Sequence, residues 1–462
     1  MVPHRGGSVV TGRLLIGAPA SGNGKTTITL ALMALLTSQG KRVQGFKVGP
    51  DYIDPSFHHL VTGRPSYNLD IWMGGEADVR RTFLRHSQDA DISLIEGVMG
   101  LLDGVSSDAN WGSSAHVAEL LDCPVLLVLD IHAMARSAAA IVKGFQVLAG
   151  DATLAGVILN RVGSARHAAM VQSAIEQETG VPVLGFLRHD ESVILPERHL
   201  GLVTAEETRE DSRRKLDVAG QLLGENLDLD RLWRVAMADE HSELADPLPH
   251  WSRPAKRPRV AIAFDRAFNF YYPANLDLLT AMGAELLWFR PTLGERIPLG
   301  ATHLYLGGGF PEEYVEDLVQ HPGMMRDVRD RILSDGLPTL AECGGYMFLG
   351  EAIWSHGQRF PMVGAIPMET EMTPSLQELG YRELTVLSDG VFPSGSRFRG
   401  HAYHHSKIHR ASGLVSAYAV SSARAPMAPE GHSSPTLLAG YSHLYFPSAP
   451  EAVRAWLEQG LD

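Results

Sequence analysis

The sequence predicts an α/β protein built as two three-layer αβα domains, and three observations predict it. From residue 13 to about 190, short apolar runs alternate with helical patterns. The apolar runs are nearly continuous rather than alternating, as in strands of a parallel sheet covered on both faces. After a proline-rich break the same alternation begins again. At 462 residues the chain also exceeds what one hydrophobic core supports.

In the first half RLLIGA, RVQGFKV, DISLIEG, PVLLVLD, TLAGVILN and PVLGFL read as buried strands, with helices near 25–39, 113–121, 134–149 and 164–179. A polar stretch from about 204 to 245 reads as helical. ADPLPHWSRPAKRPR, residues 245–259, gathers four prolines beside a basic cluster and reads as an interdomain linker. The expected division is therefore residues 1–244, a linker over 245–258, and a second domain over 259–462. Beyond the linker come VAIAFD, a helix from Pro273, ELLWF, THLYLGGG, two helices and LPTLAEC.

Composition narrows the function class. Hydrophobic residues at 45% and charged residues at 20% are ordinary for a globular protein. A net charge of −13 argues against non-specific nucleic-acid binding. The two cysteines, Cys123 and Cys343, make neither a disulfide framework nor a zinc site and suit the cytosol. The opening residues lack a signal-peptide core, and no apolar run reaches membrane-spanning length. A cytoplasmic protein with no membrane or nucleic-acid partner is expected.

The first chemical motif is GAPASGNGKTT, between the first strand and the first helix. Gly22 and Gly24 allow close backbone approach, and the amides of Ser21, Asn23 and the helix start can face an anion. Lys25 would reach terminal phosphates, with the hydroxyls of Thr26 and Thr27 beside it and Thr26 on Mg²⁺. Pro19 replaces the first glycine of the usual P-loop pattern, but the strand-GxGKTT-helix context points to nucleotide binding. Asp51 and Asp54 follow the second strand, and Glu96 and Asp103 follow the third. In an open parallel sheet, ligands bind outside the carboxyl ends of the strands, so all four carboxylates converge there. Thr26, Asp51 and Glu96 form the expected metal set, since Mg²⁺ takes few carboxylates plus phosphate oxygens and water.

The second motif is LPTLAECGGYMFLG, residues 337–350. It reads as a strand, a sharp Glu-Cys-Gly-Gly turn and a helix. Such a turn lifts Cys343 to the mouth of a sheet, beside backbone amides that lower a thiol pKa and stabilise an oxyanion.

FKVGPDYIDPSFH, NLDIWM, IEGVMGLLDG, GVILNRV and LPERHLGL together resemble the cobyrinic acid a,c-diamide synthase family, over nearly the whole chain. The resemblance implies a P-loop NTPase domain like dethiobiotin synthetase, joined to a class I glutamine amidotransferase domain of flavodoxin-like form. It implies ATP-driven amidation, in cobalamin biosynthesis, of two acetate carboxylates on a corrinoid, with ammonia from L-glutamine and Mg²⁺ as cofactor, and it is compatible with a homodimer. By the same resemblance Lys47 lies near the phosphates, Asn160 reads adenine, and Asp51, Asp54 and Asp103 serve acyl transfer. Cys343 becomes the nucleophile, Gly308 and Gly309 of GGGFPEEY the oxyanion and glutamine loop, and His443 of AGYSHLYF the base.

Two positions depart from the family pattern. Ala402 stands where an acid is usual in RGHAYHHS, and Tyr445 stands where a second histidine is usual, so a Cys-His dyad is expected. His401, His404 and His405 are read as interface or core histidines rather than a metal centre. A regulatory MinD- or ParA-like ATPase is the rival of another class, but its signature lysine is replaced by Ala20 and it lacks a cysteine domain. Nickel-sirohydrochlorin a,c-diamide synthase shares nearly all these motifs, so the tetrapyrrole stays open.

Overall fold

The computed structural model describes residues 11–105, 110–193, 195, 197–198, 201–202, 205, 208–237, 256–422 and 425–461. The expected linker before residue 256 and the helical reading beyond residue 237 lie outside the described residues. The chain divides into two compact units, Met1–Ile71 with Gly75–Pro247, and Trp72–Gly74 with Leu248–Asp462.

The first unit is a seven-stranded parallel sheet: β1 (Gly12–Gly17), β2 (Val43–Val48), β3 (Tyr67–Leu69), β4 (Ile92–Glu96), β5 (Val125–Asp130), β6 (Leu154–Val162) and β7 (Val183–Arg188). The order is β3-β2-β4-β1-β5-β6-β7. A two-stranded ribbon, β8 (Glu197–Arg198) with β9 (Gly201–Leu202), follows. The continuous apolar runs find their reason in two separate cores. Leu15, Ile95, Leu127 and Leu159 face one core, with helices Glu76–Ser87, Ser137–Leu148 and Ala165–Thr179. Their neighbours Leu14, Ile16, Leu94, Leu126 and Ile158 face the other, with helices Lys25–Ser38, Ile53–Thr62 and Arg209–Gly224. Side chains alternate across a strand, so a strand buried on both faces must be apolar throughout.

The second unit contains a six-stranded sheet of order β11-β10-β12-β13-β22-β21. Its strands are β10 (Arg259–Ala263), β11 (Glu285–Phe289), β12 (His303–Leu306), β13 (Thr339–Glu342), β22 (Leu437–Gly440) and β21 (His432–Ser433), the last antiparallel. Two further four-stranded sheets draw their strands from between β13 and β21, apart from one strand that follows β22. One is β15-β14-β16-β19, from Gln358–Pro361, Ala352–Ser355, Met368–Met372 and Ser406–Ala411. The other is β20-β17-β18-β23, from Tyr418–Ser421, Glu378–Val386, Arg397–His404 and His443–Tyr445. Leu384, Phe398 and Val420 of that sheet share a core with Val260, Ile262, Leu340 and Leu438 of the six-stranded one. A sheet therefore joins the helices Pro273–Ala281 and Pro450–Leu457 in covering this face, beyond the three-layer expectation. Among the described residues, no helix is long and apolar enough to cross a membrane.

Trp456, fully buried, fills the centre of that core with its ring against His303, Tyr305, Phe392 and Phe446. Trp456→Ala is expected to cost about 3–5 kcal/mol. Calorimetry of the full chain should show the second unit's melting temperature fall by on the order of 10 °C. An unchanged transition would mean that the site repacks.

Candidate functional site

In the first unit the site forms where the strand order reverses. The chain runs from β1 to β2 and β3 on one side, returns through β4 between β2 and β1, and then leaves to β5 on the other. The loop after β1 sits at this reversal. Gly22 and Gly24 adopt φ of +80° and +90°, a left-handed conformation that glycine takes at little cost. A Cβ on Gly24 would also stand 2.0 Å from Asn160 Nδ2. No side chain caps the helix Lys25–Ser38, so its first amides are left for an anion. Asn160, at the end of β6, donates from Nδ2 to the Asn23 carbonyl at 3.0 Å, which ties the far side of the sheet to the loop. Ser21 is exposed and Thr27 half-buried beside this turn.

Beneath the loop lies a charge cluster. Lys47 Nζ, from β2, donates to Asp54 Oδ2 at 2.5 Å and to Glu96 Oε1 at 2.9 Å, and stands 3.8 Å from Asp51 Oδ2. Burial alone would lower the Lys47 pKa, but the charges of Asp54 and Glu96 outweigh it and hold the lysine above its ordinary range. Burial raises Asp54 well above the usual carboxylate range, with the charges of Asp51 and Glu96 acting in the same sense. Burial would raise Glu96 too, yet Lys47 and a hydrogen bond from His58 bring it below that range. The Thr26 hydroxyl donates to Glu96 Oε1 at 2.6 Å and lies 3.5 Å from Asp54 Oδ2. Hard oxygens beside a phosphate loop fit Mg²⁺. Asp54 rather than Asp51 is the aspartate against Thr26; Asp51 Oδ1 instead accepts the amides of Ile53 and Asp54 and starts a helix. Asp103 turns back on its own loop, where Oδ2 accepts the Gly100 amide at 2.8 Å.

Lys25 Nζ donates to the carbonyls of Met99 and Ala20. Burial, with the charge of Lys47 second, pushes its pKa down. His58 is a member of the cluster that motif reading passed over. It bridges Ser66 Oγ at 2.8 Å and Glu96 Oε2 at 2.9 Å, fully buried. The available signal was its place at the end of FKVGPDYIDPSFH.

In the second unit three adjacent strands end together. β12 runs into Gly308 and Gly309, β13 into Cys343, and β22 into the turn before His443. Cys343 adopts φ 47° and ψ −106°, a strained conformation for a residue with a Cβ. Its amide donates to the Gly440 carbonyl at 2.8 Å, and the Gly345 amide to the Gly307 carbonyl at 3.1 Å. The turn is thus pinned to both neighbouring strands. The His443 ring lies over the glycine loop so closely that a Cβ on Gly308 would stand 2.3 Å from its Cε1.

The electrostatics differ from the sequence expectation of a lowered thiol pKa. Cys343 is 6% exposed, and burial pushes its thiol up, with the negative charge of Glu312 adding to it. The six-residue helix that follows does not offset this. Burial lowers His443 to about 3, with His401 and His404 contributing. Both shifts favour the neutral forms of thiol and imidazole. In the neighbouring cluster His404 stacks on Tyr441 at 3.9 Å and His401 packs against Tyr381 and Tyr403. His405 is half-buried, Ala402 is fully buried in β18, and Tyr445 packs edge-on to Tyr272. Among the described residues, no group of three or more His, Cys, Asp or Glu forms a metal-binding cluster.

Residues 14–203 match the family model of the CobQ/CobB/MinD/ParA nucleotide binding domain, and residues 259–451 that of the CobB/CobQ-like glutamine amidotransferase domain. A cobyrinate a,c-diamide synthase of Priestia megaterium is 45% identical over 450 residues, 97% of this chain and 96% of its own. That of Picrophilus torridus is 41% identical over 439 residues, 95% and 96% of the two chains. That of Syntrophotalea carbinolica is 42% identical over 454 residues, 96% and 98%. These likenesses span both units, which a stand-alone MinD- or ParA-like ATPase does not. With a nucleotide-binding half and a glutamine amidotransferase half in one chain, the protein belongs to the cobyrinate a,c-diamide synthase family of glutamine-dependent ligases.

Proposed function

We propose that this chain converts the a- and c-acetate carboxylates of cobyrinic or hydrogenobyrinic acid to amides, using ATP and glutamine, with residues 1–244 as ligase domain and 259–462 as amidotransferase domain. The observation that carries the reading is the pairing, in one chain, of a glycine-bounded phosphate loop above Lys47, Asp54 and Glu96 with a strained Cys343 turn and a His443 ring laid over Gly308. Neither alone makes an amide.

In the second unit Cys343 Sγ attacks the glutamine carboxamide carbon while His443 takes the thiol proton. His443 returns that proton to the departing nitrogen, which leaves as ammonia, and water then hydrolyses the thioester to glutamate. Amides of Gly308 and Gly309 stabilise the oxyanion. In the first unit Lys25 and the amides around Gly22, Asn23 and Gly24 hold ATP, with Asn160 toward the base. A substrate carboxylate displaces ADP from the terminal phosphorus to give an acyl phosphate. Ammonia then displaces phosphate from that acyl carbon and releases one proton. Asp51, Asp54 and Asp103 orient the reacting carboxylate and Lys47 offsets its charge. Thr26 and Glu96, with Asp51 or Asp54, would hold Mg²⁺, which neutralises charge on the phosphates.

The substrate is tested by offering cobyrinic acid, hydrogenobyrinic acid and nickel-sirohydrochlorin in competition and reading amide products by mass. Diamide from either of the first two in excess supports the assignment; preference for the nickel compound overturns it.

Lys25→Ala should abolish amidation with glutamine and with ammonium alike. A variant keeping more than about a tenth of the wild-type rate has lost only ~1.4 kcal/mol, too little for a group that meets the transferred phosphate. Cys343→Ser should separate the two chemistries: glutamine-supported amidation disappears and ammonium-supported amidation at raised pH persists. Cys123→Ser, in a buried strand start, should leave both rates near wild type. Equal loss of both rates in Cys343→Ser would make that residue structural.

A further inference from the structure

The sequence offers no carboxylate two residues beyond His443, where Tyr445 stands. The structure offers one from another strand. Glu342 ends β13, immediately before the nucleophile, and its side chain is 3% exposed. Its Oε1 accepts the Leu444 amide at 3.0 Å, which fixes the carboxyl against the strand that carries His443. Its Oε2 accepts the Tyr305 hydroxyl at 2.9 Å and lies 4.0 Å from His443 Nδ1. A buried carboxyl is expensive. A glutamine could keep the Leu444 amide on its single oxygen and offer its NH₂ to a Tyr305 hydroxyl turned to accept, so hydrogen bonding alone does not call for an acid here. An ionisable group kept in such a place, facing the general base, has a use for its charge.

We propose that Glu342 completes the amidotransferase site as a positioning residue: its carboxylate takes the Nδ1 proton side of His443, fixes the tautomer that turns Nε2 to Cys343, and stabilises the imidazolium formed as the thiol proton is taken. The proposal rests on the assignment of Cys343 and His443 as nucleophile and base, which the Cys343→Ser comparison tests separately. The carboxylate and the ring are about 1 Å beyond hydrogen-bond length, a gap that a small turn of the imidazole closes when glutamine fills the pocket. The Nδ1 proton stays on His443 throughout, and the proton in transit moves from Sγ to Nε2 to the leaving nitrogen.

The surroundings support the role. Burial pushes Glu342 up to about 8, against the hydrogen bonds from Leu444 and Tyr305. Below that pH the acid is protonated and has no charge with which to stabilise an imidazolium; above it the carboxylate forms. The groups facing it are Tyr305, Tyr271 and Tyr418, all held above the ordinary tyrosine range by burial, and Cys343, also pushed up. His401 and His404 face His443, and Glu312 and Glu430 face Cys343.

The test uses the full chain with ATP and tetrapyrrole acid present, and follows glutamate release and both amidation rates from pH 6.5 to 9. In wild type, kcat for glutamate release should rise through the Glu342 transition near pH 8. Glu342→Gln should lower that kcat at least about 30-fold at the high-pH end. It should flatten the rise, leave the glutamine KM within about threefold and leave ammonium-supported amidation unchanged. Glu342→Asp should recover part of the rate and the pH rise, since it restores a carboxylate. If Glu342→Gln keeps the rise and stays within about threefold of the wild-type kcat, or if it lowers glutamine- and ammonium-supported rates together, the proposal is wrong.

Discussion

The buried ammonium of Lys47 is the constraint on which the first site depends. Its side chain is 4% exposed on a strand buried along its whole length. A charge in such a place requires partners, and those partners come from two parts of the chain: Asp51 and Asp54 from the start of a helix, and Glu96 from the end of β4. The same Glu96 reaches Thr26 beside the phosphate loop and His58 in the middle of the next helix. One lysine thus sets the spacing between loop, helix and strand ends. Loss of Lys47 would leave the three carboxylates facing one another without a counter-charge.

The second site depends on a different economy. Its three working pieces need no long-range tether because they are carboxyl ends of adjacent strands in one sheet. Register does the alignment: Glu342 pairs with Gly440, and Cys343 follows on the same side of the ladder. What remains is to force the cysteine above the sheet, and the positive φ does that.

Much of this was legible in the sequence. The buried strands of the first unit announced themselves because both faces are covered, and the glycines around Lys25 and Cys343 because the backbone needs them. The two smaller sheets, built mostly between β13 and β21, were not seen. ELGYRELTV and RFRGHAYH alternate buried with exposed positions and carry charges on the open face, so they lack the apolar run that marked the others. Helix Glu76–Ser87 was missed for a similar reason, since it buries few large apolar side chains beyond Val79 and Phe83. At the sites, motif reading named side chains by type and strand end, but not which oxygen meets which donor. Asp51 and Asp54 differ only through the helix start between them, and Glu342 was hidden by its more conspicuous neighbour. The thiol's environment was misjudged because a turn before a helix suggests open amides, whereas burial dominates here.

That burial has a consequence for the life of the protein between turnovers. Peroxides and electrophiles attack thiolates far faster than thiols. A thiol held neutral and only 6% exposed, as Cys343 is, is therefore shielded from oxidative damage.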